Sequence, residues 1–187
     1  MKYQSIRKHF APYSIYRRRK TTINAAFASA IAPSDTFDEN RVRGALILLG
    51  QNPDQPLRCV YCDEPAATWD HVQSRVKNGV FSGAGHRLGN LLPSCRTCNE
   101  RKGQKTWQEY LNTMRVSEEE RNKRTAAIAA YLKTYEFAEP PQIRTEHHDA
   151  YDGLREKIHE LMKQADELAK TIRADYQTTN NTSDVIR

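Results

Sequence analysis

The sequence predicts a mainly α-helical chain with one small β-hairpin near its centre, the hairpin and a neighbouring helix clipped together by a metal ion. Three observations carry that reading. Apolar residues recur at helical spacing on both sides of a central segment, whereas only one short stretch, "ATWDHV", alternates as a strand does. All four cysteines fall in that central segment, as Cys59-x2-Cys62 and Cys95-x2-Cys98. The composition, 38% hydrophobic and 28% charged with 8 Gly and 8 Pro in 187 residues, is that of a globular chain long enough to bury a core.

The first residues set the charge. The net charge is +6, yet residues 1–20 hold seven of the 29 cations and no acid, leaving 22 cations against 23 acids in the remainder. The excess is therefore local, and Arg17, Arg18, Arg19 and Lys20 are its densest part. Interleaved with Tyr3, Phe10, Tyr13 and Tyr16, the arm suits phosphate contacts with aromatic stacking, or equally a solvated terminus whose aromatics pack on the domain. No apolar run has membrane-spanning length and the basic start lacks the apolar block of a secretory signal. The expectation is a cytoplasmic protein without a membrane partner.

Next, "TTINAAFASAIA" predicts a short helix that stops before Pro33. "SDTFDENRVRGALILLG" predicts a second, with Ser34 and Asp35 as caps, Val42, Ala45, Leu46 and Leu49 on one face, and Gly50 as the stop. "QNPDQP" is a turn cluster that opens a new unit. Further on, Ser117 and Glu120 have capping-box spacing ahead of a helix with Ile128, Tyr131, Leu132 and Tyr135 on one face, ended by "AEPPQ". Tyr151, Leu154, Ile158, Leu161, Ala165, Leu168 and Ile172 follow a coiled-coil repeat, suited to a homodimer or to packing on the same chain. The boundaries read as a basic arm and helical segment at 1–56, a cysteine-bearing core at 57–113, C-terminal helices at 114–178 and a flexible tail at 179–187.

Two C-x2-C knuckles separated by 32 residues present four thiolates to one Zn²⁺, whereas disulfides are rare in a reducing compartment. A zinc held by Cys59, Cys62, Cys95 and Cys98 has no open position and cannot activate water. Chemistry must come from elsewhere. Inside the loop stand Asp70 and His71, then Asn90, and directly after the second knuckle Asn99. An Asp-His pair alone reads as a solvent-facing dipeptide, and strand alternation sends the two side chains to opposite faces unless the strand twists, bulges or ends there.

The order "DH", then "GN-L", then "C-x2-C-N-x2-K", from about Arg58 to Trp107, resembles the HNH endonucleases. The resemblance implies a zinc-stapled ββα-metal core flanked by helices, acting on DNA. It implies that Asp70 and Asn99 bind a catalytic divalent ion, that His71 is the general base, and that Asn90 holds the histidine-bearing segment. The chemistry agrees: an imidazole titrates near neutral pH, and a carboxylate with an amide oxygen suits Mg²⁺ or Mn²⁺. Arg101 and Lys102 stand where cations could grip flanking phosphates, as Arg17 to Lys20 could on the arm. Trp69 and Trp107 read as core aromatics; His86 and Arg87 lie in a nearby glycine-marked loop, outside the catalytic set. The competing readings are a non-catalytic zinc-stabilised nucleic-acid-binding module and a structural adaptor. Sequence preference, and membership of a larger defence complex, stay open.

Overall fold

A computed structural model describes residues 3–136 and 145–183, with the side chains of Lys8 and 177–183 left aside. The element order is a 3₁₀ turn (Tyr3–Ile6), α1 (Arg7–Phe10), α2 (Ile15–Ile31), α3 (Glu39–Leu48), β1 (Thr68–His71), β2 (Val76–Lys77), β3 (Val80–Phe81), β4 (Leu91–Ser94), α4 (Arg96–Lys102), α5 (Trp107–Asn112), α6 (Glu118–Thr134) and α7 (Glu146–Ser183). The chain is mainly α with small antiparallel strand pairs, as the sequence predicts. It divides into two compact units, one of residues 1–27 with 143–187 and one of residues 28–142.

In the first unit the densest basic residues stand on a helix and not on a free arm. Arg17, Arg18, Arg19 and Lys20 are exposed on the opening turns of α2, which begins six residues earlier than the alanine-rich stretch alone suggests. Cations at a helix N-terminus oppose its dipole, and Asp166 of α7 supplies the missing acid. Its carboxylate accepts from the Ile15 and Tyr16 N–H groups at 2.6 and 3.1 Å and from the Ser14 hydroxyl at 2.7 Å. Of the repeat on α7, Tyr151 packs on Phe27 with ring centroids 4.9 Å apart, but the leucines do not pack here. Arg155 and His159 are buried at 6% exposure each, while Leu154, Leu161 and Leu168 are 54%, 63% and 63% exposed. The helix continues through Ser183, past the boundary at 178 that the sequence suggested for it.

The second unit holds the core, built from Ala45 of α3 and Leu49 at its C-terminal cap, Val60 and Tyr61 of the first knuckle, Leu92 of β4, Trp107, Tyr110 and Leu111 of α5, and Ile128 and Tyr131 of α6. Each helix has a local reason. α3 is capped by Asp38, whose carboxylate accepts from the Arg41 N–H at 3.0 Å, and not by Ser34 or Asp35. Those two residues are engaged elsewhere: Ser34 bridges to His86 in parallel and the Asp35 carboxylate accepts from the Leu88 N–H at 3.0 Å. Gly50, at φ 72°, takes the left-handed turn that ends α3, as read. α5 opens on a reciprocal capping box of Thr106 and Glu109, and α6 on Ser117, which accepts from the Glu120 N–H at 3.2 Å. The "AEPPQ" stop falls outside the described residues.

β1 and β4 form the hairpin that carries the site, with Thr68 opposite Ser94, Trp69 opposite Pro93, Asp70 opposite Leu92 and His71 opposite Leu91. Between them a second, smaller hairpin, β2–β3, turns on Asn78 and Gly79, both at positive φ. Asn-Gly is the strongest short hairpin signal, because that turn needs two left-handed residues.

Candidate active site and metal clip

The clip sets the distance between hairpin and helix. Cys59 and Cys62 lie on a turn closed by the Asp63 N–H to the Cys59 carbonyl at 2.9 Å and by the Cys59 N–H to the Glu64 carbonyl at 2.7 Å. Cys95 caps α4, its sulfur accepting from the Cys98 N–H at 3.3 Å. The four sulfurs lie within 4.8 Å of one another, and Cys62 Sγ to Cys95 Sγ is 3.7 Å. Zinc bonds of about 2.3 Å in a tetrahedron place sulfurs about 3.8 Å apart, so the donor set fits that ion. Burial pushes the Cys62 thiol up to about 11, and a cation is what would hold it as thiolate.

Pinned between clip and α4, β1 alternates strictly, and the Asp-His dipeptide is split. Asp70 turns inward to 3% exposure. Its Oδ2 accepts from the Tyr61 hydroxyl at 2.7 Å and its Oδ1 from the Lys102 ammonium at 3.1 Å. Lys102 also donates to the His71 carbonyl at 2.9 Å and is 1% exposed. Burial pushes the Asp70 carboxyl above its usual range, against the pull of Tyr61 and Lys102. Lys102 is thus an internal ion-pair partner and not the phosphate-gripping cation that the sequence suggested; Arg101 beside it is exposed. Trp69, expected in the core, is 44% exposed because alternation sends it to the face opposite Asp70, whereas Trp107 is buried as read.

His71 faces the other way. Its Nε2 lies 3.2 Å from Nδ1 of His86, the rings meeting edge to face with centroids 5.0 Å apart. Nε2 of His86 lies 3.3 Å from the Arg75 guanidinium. Burial, then the charges of Arg75, His86 and Lys102, push His71 down to about 4, so the imidazole is neutral near pH 7. Burial and Arg75 lower His86 as well.

Asn90 is fully buried, and its side chain ties the two histidine-bearing segments together. Oδ1 accepts from the Gln73 N–H at 2.7 Å, and Nδ2 donates to the Gln73 carbonyl at 3.3 Å and the Gly85 carbonyl at 2.8 Å. Tyr131 braces this segment from α6: its hydroxyl accepts from the Gly89 N–H at 2.9 Å and donates to the Leu91 carbonyl at 2.7 Å. Asn99, on α4, points its amide at the Thr68 hydroxyl at 3.4 Å. Thr68 and Asp70 share a face of β1, so Asn99 and Asp70 are neighbours across the strand from His71. The sequence missed His86, Arg75, Tyr61 and Tyr131. His86 was visible as a histidine in the loop, but its pairing with His71 depends on a turn that no local pattern reports.

Residues 59–105 match the HNH endonuclease family model, about a quarter of the chain. No curated protein and no solved structure matches the chain. The matched segment holds both knuckles, both strands of the hairpin and α4, and it marks a nuclease-family or nucleic-acid-binding module.

Proposed function

We propose that the chain is an HNH-type endonuclease that hydrolyses phosphodiester bonds in DNA with His71 as general base. The single observation that carries this reading is a half-buried, neutral imidazole beside His86, on a strand next to four clustered cysteines. A water would lose a proton to an imidazole nitrogen of His71 as its oxygen bonds to phosphorus, the ester bond to the leaving oxygen would break, and solvent would reprotonate that oxygen. Asn90 would keep His71 in register through Gln73.

The zinc ion would be held by Cys59, Cys62, Cys95 and Cys98, where it supplies folding energy and no chemistry. A catalytic Mg²⁺ or Mn²⁺ on Asp70 and Asn99 does not fit the arrangement as it stands. Both Asp70 oxygens are engaged, one of them by the Lys102 ammonium, so an arriving cation would have to displace another cation from a buried carboxylate. Arg101 and the exposed Arg17, Arg18, Arg19 and Lys20 are the cations proposed to meet phosphate. The exposed leucines of α7 suit a second copy of the chain, which would place two cutting sites on one duplex. Among the described residues no helix is long and apolar enough to cross a membrane.

The test is incubation of the purified zinc-loaded protein with supercoiled plasmid across a panel of divalent metals, with chemical mapping of the ends. Nicks with defined 5′ and 3′ ends are expected. Tight plasmid binding without cuts in any metal would replace the nuclease with a binding module.

A further inference from the structure

Water adding to a phosphodiester builds negative charge on the phosphate oxygens, and hydrolysis needs a positive group within hydrogen-bond reach of them. The inner face of β1 offers none, because the Lys102 ammonium is already spent on the buried Asp70 carboxylate. The outer face does. From His71 through Asn99 the chain has no Asp or Glu, whereas Arg75, Lys77, Arg87 and Arg96 fall in that stretch. Of these, Arg75 reaches the histidine pair: its Nη1 lies 3.3 Å from His86 Nε2, and His86 Nδ1 lies 3.2 Å from His71 Nε2. One imidazole ring and two hydrogen-bond lengths thus separate the guanidinium from His71, a gap that a phosphate and its attacking water can bridge.

Arg75 is held as an anion receptor is held. Arg43, Arg58, Arg124 and Arg155 each meet a carboxylate. Half-buried Arg75 meets a hydroxyl and an imidazole, neither of which carries negative charge, and no acid pairs with it among the described residues. A guanidinium partly withdrawn from water without a counter-charge favours an anion beside it. Its donors are also divided in a useful way. The Ser29 hydroxyl and His86 take up Nη1, which leaves Nε and Nη2 with two parallel N–H bonds, the fork that matches two oxygens of a phosphate. Among the described residues nothing accepts from that edge. The backbone is anchored too: the Arg75 carbonyl accepts from the Ser82 N–H at 2.9 Å, and the Ser82 hydroxyl donates to the Ser74 carbonyl at 2.5 Å. An arginine that only steadied His86 would account for the contacts of Nη1 and not for the open edge.

We propose that Arg75 is a catalytic residue of the proposed hydrolysis, its Nε–Nη2 edge donating two hydrogen bonds to the non-bridging oxygens of the scissile phosphate. The inference rests on that hydrolysis, and it supplies the positive charge that an ion on Asp70 and Asn99 would otherwise bring. The bonds made and broken are those already given: the water oxygen bonds to phosphorus, its proton passes to His71, the bond to the leaving oxygen breaks, and solvent protonates that oxygen. Arg75 gives up no proton; its hydrogen bonds strengthen as charge grows on the oxygens they hold.

The experiment has two arms on the full-length, zinc-loaded chain. The first is the rate of supercoiled-plasmid nicking by wild type, Arg75→Met, Arg75→Lys, His86→Ala and the Arg75→Met/His86→Ala double variant. Arg75→Met should be about 10²- to 10³-fold slower than wild type. Arg75→Lys, which keeps the charge and loses the fork, should fall between them. The double variant should remain far slower than His86→Ala, because the arginine acts on phosphate and not through the ring. The second arm is plasmid affinity across a salt series for His71→Ala with and without Arg75→Met, where loss of one phosphate contact should make the slope shallower by about 1. Arg75→Gln carries both comparisons should Arg75→Met melt early. Nicking by the Arg75 variants at the wild-type rate, an effect that disappears once His86 is alanine, or an unchanged salt slope would each overturn the proposal in a protein that still cuts DNA. A shallower slope in a protein that cuts nothing would instead leave the phosphate contact standing and remove the nuclease reading.

Discussion

Adjacent residues of one strand meet opposite fates here. On the inner face of β1, Asp70 is sealed among Tyr61 and Lys102; on the outer face, His71 shares a half-buried cluster with His86 and Arg75. The inner cluster joins a carboxylate to a cation and a phenol and has every oxygen partnered, which is how a buried charge is tolerated. The outer cluster joins two neutral rings to a cation and contains no carboxylate. One holds α4 against the hairpin through Lys102, and the other keeps His71 against His86. The dipeptide that looks like one functional unit in the sequence is therefore two units, separated by the thickness of a strand.

Breaking both faces at once should have the largest effect. Cys95→Ser removes a sulfur from the clip while its hydroxyl can still cap α4, and because structural zinc binding is worth on the order of 10 kcal/mol, the 28–142 unit should lose its cooperative melt. Calorimetry and zinc content measure this; an unaltered melting temperature would remove the clip from the account. Breaking the inner face alone is next. Lys102→Met leaves Asp70 buried without its cation and should cost about 3–5 kcal/mol in chemical denaturation. A smaller loss, accompanied by a lower metal requirement for cleavage, would mean that Lys102 only guards a metal ligand.

Asn90→Ala should unfasten the outer face. It strands the buried Gly85 carbonyl at about 1–3 kcal/mol and frees the part-buried Gln73 N–H, and it should slow cleavage more than stability alone explains. The smallest effect is a slope. The folded His71 binds its proton only near pH 4, whereas the ordinary value is 6.5, so between those values the unfolded chain holds more protons. Stability should then be full above about pH 6.5 and decline as pH falls toward about 4, with His86 adding to the same trend. Thermal melts of wild type and His71→Ala over that window should differ in slope, the variant being the flatter.

Much of the frame is legible from residue patterns because it is local. The cysteine spacing, the Ser117 cap and the Gly50 stop each act within a few residues, and each stands where the pattern places it. What escapes the sequence is set by contacts distant along the chain. Ser34 and Asp35 look like caps for α3 but pair with His86 and Leu88 about fifty residues later, and the true cap is Asp38. Lys102 looks like a surface cation on a short helix, yet it reaches back 32 residues to Asp70. The repeat on α7 is legible as a repeat, but not the fact that its leucines stay exposed while Arg155 and His159 turn inward.

The most direct measurement is the rate of plasmid nicking by His71→Ala relative to wild type, both zinc-loaded and at the same ionic strength. Removing a general base should slow the reaction about 10²- to 10⁴-fold while zinc content and the affinity for plasmid stay as they were. A variant that nicks at the wild-type rate would show that the imidazole on the outer face of β1 takes no part in the chemistry.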